Sequence, residues 1–296
     1  MDESVSPKQL AKAIGVSESS VKRWCDDGVI NTTYTPGGHR KIEIDEVLHF
    51  LRDSKYAIAD PEILGLPSML GQRTWSKQEA IAQLQDSLVT NNEELALAII
   101  MGLFLSKLPL PVLFDDIISV VFKNIGDEWT CGSIDIYQER QACQICRRAI
   151  ERFRTLTKNN NQRFLALGGT LSGDHYEIPT LMVEIALNSM GWNACSLGTN
   201  IPASSMLTSA LDKKADLLWI SVNHIENRTR FIAEMNQLWI KRPNQIPLVI
   251  GGQAFTPDLR REVRHSIYCD SILQLQSFME SYQTLATANA AKPSEN

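Results

Sequence analysis

The second half of the chain alternates short apolar runs with helical segments, and this alternation limits the possible folds more than any other feature. Strand-like runs occur at 164–167, 194–197, 217–221, 248–250 and 267–269. Helical segments follow near 177–190, 202–212, 227–240, 257–264 and 271–284. Since helical crossovers join parallel strands, five such units predict a doubly wound, flavodoxin-like parallel sheet over residues 160–285.

A polar loop follows the first predicted strand. It reads Thr-Leu-Ser-Gly-Asp-His-Tyr-Glu-Ile-Pro over residues 170–179 and leads into a helical pattern. Open α/β sheets bind ligands in the crevice at the carboxyl ends of their strands. This loop is therefore a candidate ligand-binding segment.

The loop resembles that of cobalamin-binding domains, which reads Asp/Glu-x-His-x-x-Gly and supplies its histidine as the lower axial ligand of cobalt. Aligned without gaps, Asp174 takes the acidic position, Tyr176 the histidine position and Pro179 the glycine position. A histidine stands one residue early, at His175, and is the candidate cobalt ligand. The resemblance implies cobalamin as the cofactor, and the displaced histidine predicts that its binding is weak or lost.

Later positions extend this resemblance. The segment 197–202, which contains Gly198, resembles the loop after the second strand of cobalamin domains. Ser221 stands where the family has Ser-x-Leu or Ser-x-Thr beside the nucleotide tail of the cofactor. Gly251 and Gly252 match a glycine pair that lets the backbone approach that tail closely. An ordinary tight turn between strand and helix is the alternative explanation of this pair.

Residues 77–158 predict a four-helix bundle. Helical stretches lie near 77–90, 92–107, 110–127 and 135–157. Short loops join them, which is typical of antiparallel neighbours in a bundle. Cys143 and Cys146 form a C-x-x-C pair on the apolar face of the last helix. Core packing explains this pair better than metal chemistry, because no second pair completes a zinc site.

The bundle also carries a tryptophan and a glutamate at a distinctive spacing. Trp129 and Glu139 resemble the Trp-x9-Glu-His signature of the helical cap on cobalamin domains. There the tryptophan covers the upper face of the cofactor and the Glu-His pair touches the upper ligand. Arg140 replaces the histidine here. Thr130 stands where light-sensing CarH/LitR regulators carry a second histidine, so that photochemistry is not expected. The alternative is a buried tryptophan with a surface Glu-Arg pair.

The N-terminal segment, residues 1–55, predicts two helices around a glycine turn. Ser6 before Pro7 begins the first helix, Gly15 ends it and Ser17 caps the second. This order is typical of a helix-turn-helix. The Pro-Gly-Gly sequence at 36–38 then indicates a tight turn with a basic tip.

The same segment closely resembles the winged helix-turn-helix domain of the MerR family. The helix-turn-helix, an Arg-Trp pair at 23–24 and a Gly-Gly-His-Arg wing at 37–40 occur in the family's order. The resemblance implies double-stranded DNA as a partner. Candidate DNA-contacting residues are Ser19, Lys22, Arg23, Tyr34, His39, Arg40 and Lys41. Residues 1–54 carry seven Lys/Arg and nine Asp/Glu, so local basic clusters must supply the electrostatic attraction. A small protein-interaction domain is the alternative.

Charge and hydropathy narrow the remaining choices. A net charge of −5 disfavours a chain that binds nucleic acid over its whole surface. The sequence predicts no membrane span, no signal peptide and no disulfide framework, and we therefore expect a cytoplasmic protein. Two prolines and two glycines predict a linker at 56–76. The polar end of the chain predicts a disordered tail at 286–296.

The order of the three predicted domains resembles the CarH/LitR architecture. It implies a DNA-binding transcription regulator that forms a homo-oligomer, either a dimer or a tetramer, and carries a sensory module. We expect no enzyme, because no nucleophile-base pair, metal cluster or phosphate loop supports independent catalysis. The alternative function is a corrinoid carrier associated with a cobalamin-dependent methyltransferase, which shares the cap and the α/β domain. A different small-molecule ligand in the α/β domain is a further alternative.

Overall fold

A computed structural model describes residues 4–157 and 164–290, and the chain divides into two compact units, Met1–Leu156 and Thr157–Asn296. The strands of the first unit are β1 (Ser4–Val5), β2 (Thr33–Tyr34) and β3 (Arg40–Glu43). Its helices are α1 (Pro7–Ala13), α2 (Glu18–Asp26), α3 (Ile44–Asp53), α4 (Lys77–Val89), α5 (Glu93–Leu105), α6 (Leu110–Leu113), α7 (Ser119–Thr130) and α8 (Ile136–Leu156).

Side-chain caps fix the first two helices. The Ser6 hydroxyl accepts the Gln9 N–H at 3.3 Å, and the Gln9 side chain accepts the Ser6 N–H in return. The Ser17 hydroxyl accepts the Ser20 N–H at 3.1 Å at the start of α2. Such caps satisfy N–H groups that have no partner inside the helix. A hairpin of β2 and β3 follows, in a three-stranded antiparallel sheet of order β1-β3-β2.

The segment predicted as a linker, 56–76, is packed rather than free. Its apolar side chains at Ile58, Leu64, Leu66 and Leu70 are buried. The backbone N–H groups of residues 59 and 60 both donate to the Ala13 carbonyl. The linker prediction is wrong here because the glycines and prolines shape tight turns, including a 3-10 helix at Pro61–Leu64, between buried apolar residues.

The helical middle forms antiparallel neighbours around an apolar core. The helix predicted at 110–127 is continuous from α6 to α7 but contains a π-helical stretch, Phe114–Ile118. Helix α3 packs on α5 and α8. The Arg52 guanidinium lies 4.0 Å from the centroid of the Phe104 ring and donates to the Phe104 and Leu108 carbonyls. The N-terminal elements and the bundle therefore belong to one unit.

The second unit confirms the predicted five-stranded parallel α/β sheet. Its strands are β4 (Leu165–Gly169), β5 (Asn193–Ser196), β6 (Leu217–Ser221), β7 (Leu248–Gly251) and β8 (Ile267–Cys269), in the order β5-β4-β6-β7-β8. Its helices are α9 (Glu177–Ser189), α10 (Ala203–Asp212), α11 (Arg228–Lys241), α12 (Pro257–Glu262) and α13 (Ile272–Ala290). The strand order reverses direction between β4 and β6, which is where sheets of this kind bind ligands.

The ends of the predicted domains differ in part from the structure. Helix α13 continues through residues 286–290, which the sequence assigned to a disordered tail. Residues 291–296 of that tail lie outside the described residues, as do residues 158–163 at the predicted domain boundary. In the part of the chain that the structure describes, no helix is both long and apolar enough to cross a membrane.

Candidate functional site

Asp174 ties together the two loops that meet at the strand-order reversal. One Asp174 oxygen accepts the backbone N–H groups of Asn223 at 2.7 Å and His224 at 3.2 Å, in the loop after β6. The other accepts the Tyr176 N–H at 3.0 Å. Burial raises the pKa of the Asp174 carboxyl, and the three N–H donors act in the opposite direction. The residue at the acidic position of the cobalamin motif is thus a structural bridge between loops.

The loop after β5 joins the same network. The Thr170 hydroxyl donates to the Asp174 carbonyl at 2.6 Å, and the Asn200 N–H lies 3.0 Å from that hydroxyl. The Asn200 side-chain oxygen accepts the Gly173 N–H at 2.9 Å. Gly198, at a φ of +92°, presents its carbonyl to the Thr170 N–H at 3.1 Å. The sequence singles out Gly198 but not Thr170 or Asn200, although these lie in the segments 170–179 and 197–202. An asparagine in a glycine-containing turn is the only signal that could have identified them.

The predicted metal ligand, His175, lies at the surface of the loop at 170–179. His175 is exposed, and no hydrogen bond of the described residues involves its imidazole. Tyr176, at the histidine position, is half-buried with its ring 6.4 Å from that of His224. Helix α9 begins at Glu177, so Pro179 stands in its first turn, where an unpaired N–H would be lost at no cost. Helix α9 therefore begins directly after Tyr176, and within the described residues no hydrogen bond fixes the ring of His175.

The glycine pair after β7 supports a close approach within the protein. Gly252 has a φ of +115°, and a Cβ there would lie 2.3 Å from the Val222 carbonyl oxygen. A Cβ at Gly251 would lie 2.8 Å from the Cys269 carbonyl oxygen. The Val222 N–H donates to the Gly251 carbonyl at 2.7 Å. A tight turn against the neighbouring strand ends therefore accounts for both glycines.

These contacts test whether the edge of the sheet fits the implied cofactor. Asp174, Gly198, Gly251 and Gly252 engage their own neighbours, and Ser221 is buried. One polar atom is left over: the side-chain nitrogen of Asn223 is buried without a hydrogen-bond partner among the described residues. This amide can donate to a small ligand or to water. Tyr176 stands at the histidine position of the motif, so the residues present do not supply a histidine ligand at its usual place.

Trp129 and Glu139 of the helical cap differ in exposure from the alternative reading of a buried tryptophan with a surface Glu-Arg pair. Trp129, near the end of α7, is 45% exposed. Glu139, in the first turn of α8, is buried and accepts from the Cys143 thiol at 3.4 Å. The exposed Arg140 lies 3.3 Å from the other Glu139 oxygen. The alternative of a buried tryptophan and a surface glutamate is therefore wrong, since the tryptophan is open and the glutamate is enclosed.

The basic residues near α2 fall into two groups. Ser19, Lys22 and Arg23 are exposed on α2, as are Tyr34 and His39 on the hairpin. Lys22 pairs with Glu18 at 2.8 Å. Arg23 has no ion-pair partner among the described residues, and neither has the half-buried Lys41.

Arg40 is engaged within the protein. Its guanidinium contacts the Asp26 carboxylate at 2.6 Å, the Tyr34 hydroxyl at 2.8 Å and the Lys22 carbonyl at 3.1 Å. These bonds fasten the hairpin to α2. The expected phosphate contact of Arg40 would have to compete with them, so we correct its role to that of a residue that positions the hairpin.

Three comparisons with known proteins bear on this chain. Residues 80–154 match the model of the B12 binding domain family. Trimethylamine corrinoid protein 1 of Methanosarcina acetivorans is 21% identical over 209 residues, which cover 68% of this chain and 96% of that protein. The HTH-type transcriptional repressor CarH of Myxococcus xanthus is 21% identical over 261 residues, covering 82% and 87%.

A solved structure shows the same fold. The monomethylamine corrinoid protein of Methanosarcina barkeri superimposes with a TM-score of 0.58 at 18% identity, covering 69% of this chain and 98% of that one. The chain thus shares the fold of a corrinoid protein, and the match to the B12 binding domain family supports cobalamin as its cofactor. The displaced histidine bears on how the cofactor is held, which the fold alone does not determine.

Proposed function

We propose that this chain is a DNA-binding transcription regulator whose cobalamin-type module binds its cofactor weakly or not at all and has no catalytic activity of its own. The observation that carries the proposal is the exposed polar face of α2 beside a hairpin fastened to it by Arg40. Similarity to a repressor over 82% of the chain supports the same function.

The physical basis is phosphate attraction. Arg23 is exposed on α2 and has no competing carboxylate among the described residues, so it is free to contact a phosphate. Contacts of this kind fix the position of a protein on the duplex without reading its sequence. Each neutralised phosphate releases counterions, so affinity falls with added salt. Ser19, at the exposed start of α2, lies where recognition helices contact base edges.

A DNA-reading element of this size also implies assembly. Proteins of the helix-turn-helix class usually bind two half-sites as dimers, and the spacing of the half-sites mirrors the symmetry of the protein. We therefore expect a dimer or tetramer on DNA and an operator with inverted or direct repeats. Selection from a randomised duplex library, with light scattering of the recovered complexes, measures both. A monomer bound to a single half-site would contradict this assembly.

The direct test compares two arginine variants of the full chain. Arg23→Ala removes the proposed phosphate contact, and Arg264→Ala removes an exposed arginine of the α/β unit as a matched control. Fluorescence anisotropy on a mixed-sequence duplex at several salt concentrations should show weaker binding for Arg23→Ala alone. Its salt slope should fall by about 0.9, the value for one phosphate. Unchanged affinity and slope would reject α2 as the docking surface.

The second candidate function is a corrinoid carrier for a methyltransferase. Similarity to a corrinoid protein across 96% of that protein's length favours it. A carrier has no need for a DNA-contacting helix and should show no retention on DNA at low salt. DNA binding that depends on Arg23 therefore separates the two functions.

A further inference from the structure

The interior of the α/β unit contains a tryptophan that no position of the cobalamin motif accounts for. Trp219, in the middle strand β6, is 1% exposed. It pairs in register with Gly168 of β4, and a Cβ on Gly168 would lie 2.1 Å from the indole. The ring therefore lies across its neighbouring strand, and Gly168 is the residue that leaves room for it.

A short polar chain fixes this indole. The Trp219 ring nitrogen donates to the Thr180 hydroxyl of α9 at 3.0 Å, and that hydroxyl lies 3.3 Å from the Ser196 hydroxyl of β5. Thr180 is 1% exposed. A buried ring N–H without a partner would be costly, so this bond sets the orientation of the ring as well as satisfying the group. The indole lies in the layer between the sheet and α9.

The same face of the sheet carries the positions that the cobalamin resemblance assigns to the nucleotide tail. Side chains two residues apart on a strand point to one face, so Ser221 shares the face of Trp219. Ser221 pairs in register with Gly251 of β7. A tail that entered beside Ser221 and Gly251 would meet the indole about 7 Å deeper, two residues down the strand. The tail ends in a benzimidazole, a bicyclic aromatic ring of about the size of indole.

We propose that Trp219 fills the interior volume that the nucleotide tail of a cobalamin would occupy. The α/β unit is then complete without a cofactor, because its own indole packs where a ligand ring would otherwise be buried. This inference deepens the weak or lost cofactor binding of the proposed function and rests on it. The volume filled by Trp219 concerns the nucleotide tail and not the metal, so this proposal does not depend on the axial histidine.

Two corrinoids that differ in the tail test the proposal. Cobalamin carries the nucleotide tail and cobinamide lacks it. If the indole blocks the tail, wild-type protein gains nothing from the tail and holds cobalamin no more tightly than cobinamide. Trp219→Ala opens the volume and should tighten cobalamin by about tenfold or more, since overpacking a filled core is strongly unfavourable. Cobinamide binding should stay unchanged.

Equilibrium dialysis of the full chain with each corrinoid in the dark measures the four affinities. Trp239→Ala is the matched control, because it removes a half-buried tryptophan of α11 that stacks on Arg242. Trp219→Phe, with a smaller ring, keeps the test possible if Trp219→Ala fails to fold, and should move cobalamin affinity in the same direction by a smaller factor.

Two results would overturn the proposal. One is wild-type protein that binds cobalamin about tenfold more tightly than cobinamide, because the tail would then have a place beside the indole. The other is a folded Trp219 variant that gains no cobalamin affinity. DNA binding is measured without corrinoid, so neither result affects it. The proposal about Trp219 can therefore fail while the proposed DNA-binding function still holds.

Discussion

The face of α2 and the carboxyl edge of the α/β sheet both resemble known binding surfaces, but their side chains are used in opposite ways. On α2, Ser19 and Arg23 are exposed, and Arg23 has no ion-pair partner among the described residues. At the sheet edge, Asp174 accepts three backbone N–H groups, and the glycine pair approaches the backbone of neighbouring strand ends. Arg23 is open to a partner, whereas the groups at the sheet edge are bonded to the protein itself.

This difference shows that the α/β unit can keep the fold of a cobalamin-type domain without keeping its ligand site. A parallel sheet needs its loops to be hydrogen-bonded, and buried polar groups need partners whether or not a ligand is present. Asp174 provides the carboxyl group expected at the acidic position of the motif, but that carboxyl joins two loops.

The largest expected effect is on the filled interior. Trp219→Ala should lower the free energy of unfolding of the α/β unit by about 3–5 kcal/mol, the range for a large core aromatic. Trp129→Ala, at the exposed tryptophan of α7, should cost far less because little burial is lost. Urea unfolding followed by circular dichroism measures both. Equal losses for the two variants would show that the interior is not tightly filled around the indole.

The loop bridge comes next in size. Asp174→Ala leaves the N–H groups of Tyr176, Asn223 and His224 without their acceptor and should cost about 1–3 kcal/mol. His175→Ala is the control at the adjacent position, where an exposed side chain should change stability by less than about 0.5 kcal/mol. If His175→Ala proved the more damaging in thermal melts, the edge would be organised around the histidine after all.

On α2, two arginine variants should weaken DNA binding by different routes. Arg23→Ala should reduce the salt slope by about 0.9, since a phosphate contact is lost. Arg40→Ala frees the hairpin from Asp26 and Lys22, so affinity should fall while the slope stays near that of the wild type. Anisotropy titrations across salt give both quantities. A reduced slope for Arg40→Ala would return that residue to the phosphate-contacting group.

The smallest expected effect is a difference in reactivity between an exposed and a buried thiol of the helical cap. Cys131 is exposed, and its hydrogen bond with Ser133 lowers its pKa. Burial and the neighbouring Glu139 raise the pKa of Cys143 to about 12. Because the thiolate is the reactive form, Cys131 should react first with a disulfide reagent as pH rises through neutrality. Cys131→Ser should remove the first phase of the reaction. If Cys143→Ser removed that phase instead, Cys131 would not be the more reactive thiol.

Sequence reasoning reached the α/β fold because periodicity reports burial directly. The five parallel strands follow from apolar runs, and the helix caps at Ser6 and Ser17 follow from residue type. It misjudged segments where local composition and packing disagree. Residues 56–76 look like a linker by their glycines and prolines, but four of their apolar side chains are buried.

The site was harder to read because its bonds connect residues far apart in sequence. Asp174 was chosen from the loop motif, but its partners Asn223 and His224 lie in a loop after another strand. The sequence predicts a DNA contact for Arg40, but its contact with Asp26 depends on how the hairpin folds against α2. Trp219 was counted only as part of an apolar strand. Periodicity marks it as buried but cannot say what it displaces.

The most direct measurement is the affinity of the purified full chain for its selected DNA, in the dark, with and without saturating adenosylcobalamin. The account predicts salt-dependent binding in the absence of corrinoid, an unchanged affinity when corrinoid is added, and a reduced salt slope for Arg23→Ala. DNA binding that appears only with adenosylcobalamin would show that the α/β unit is a working cofactor sensor. An absence of DNA binding under both conditions would contradict the proposed regulator itself.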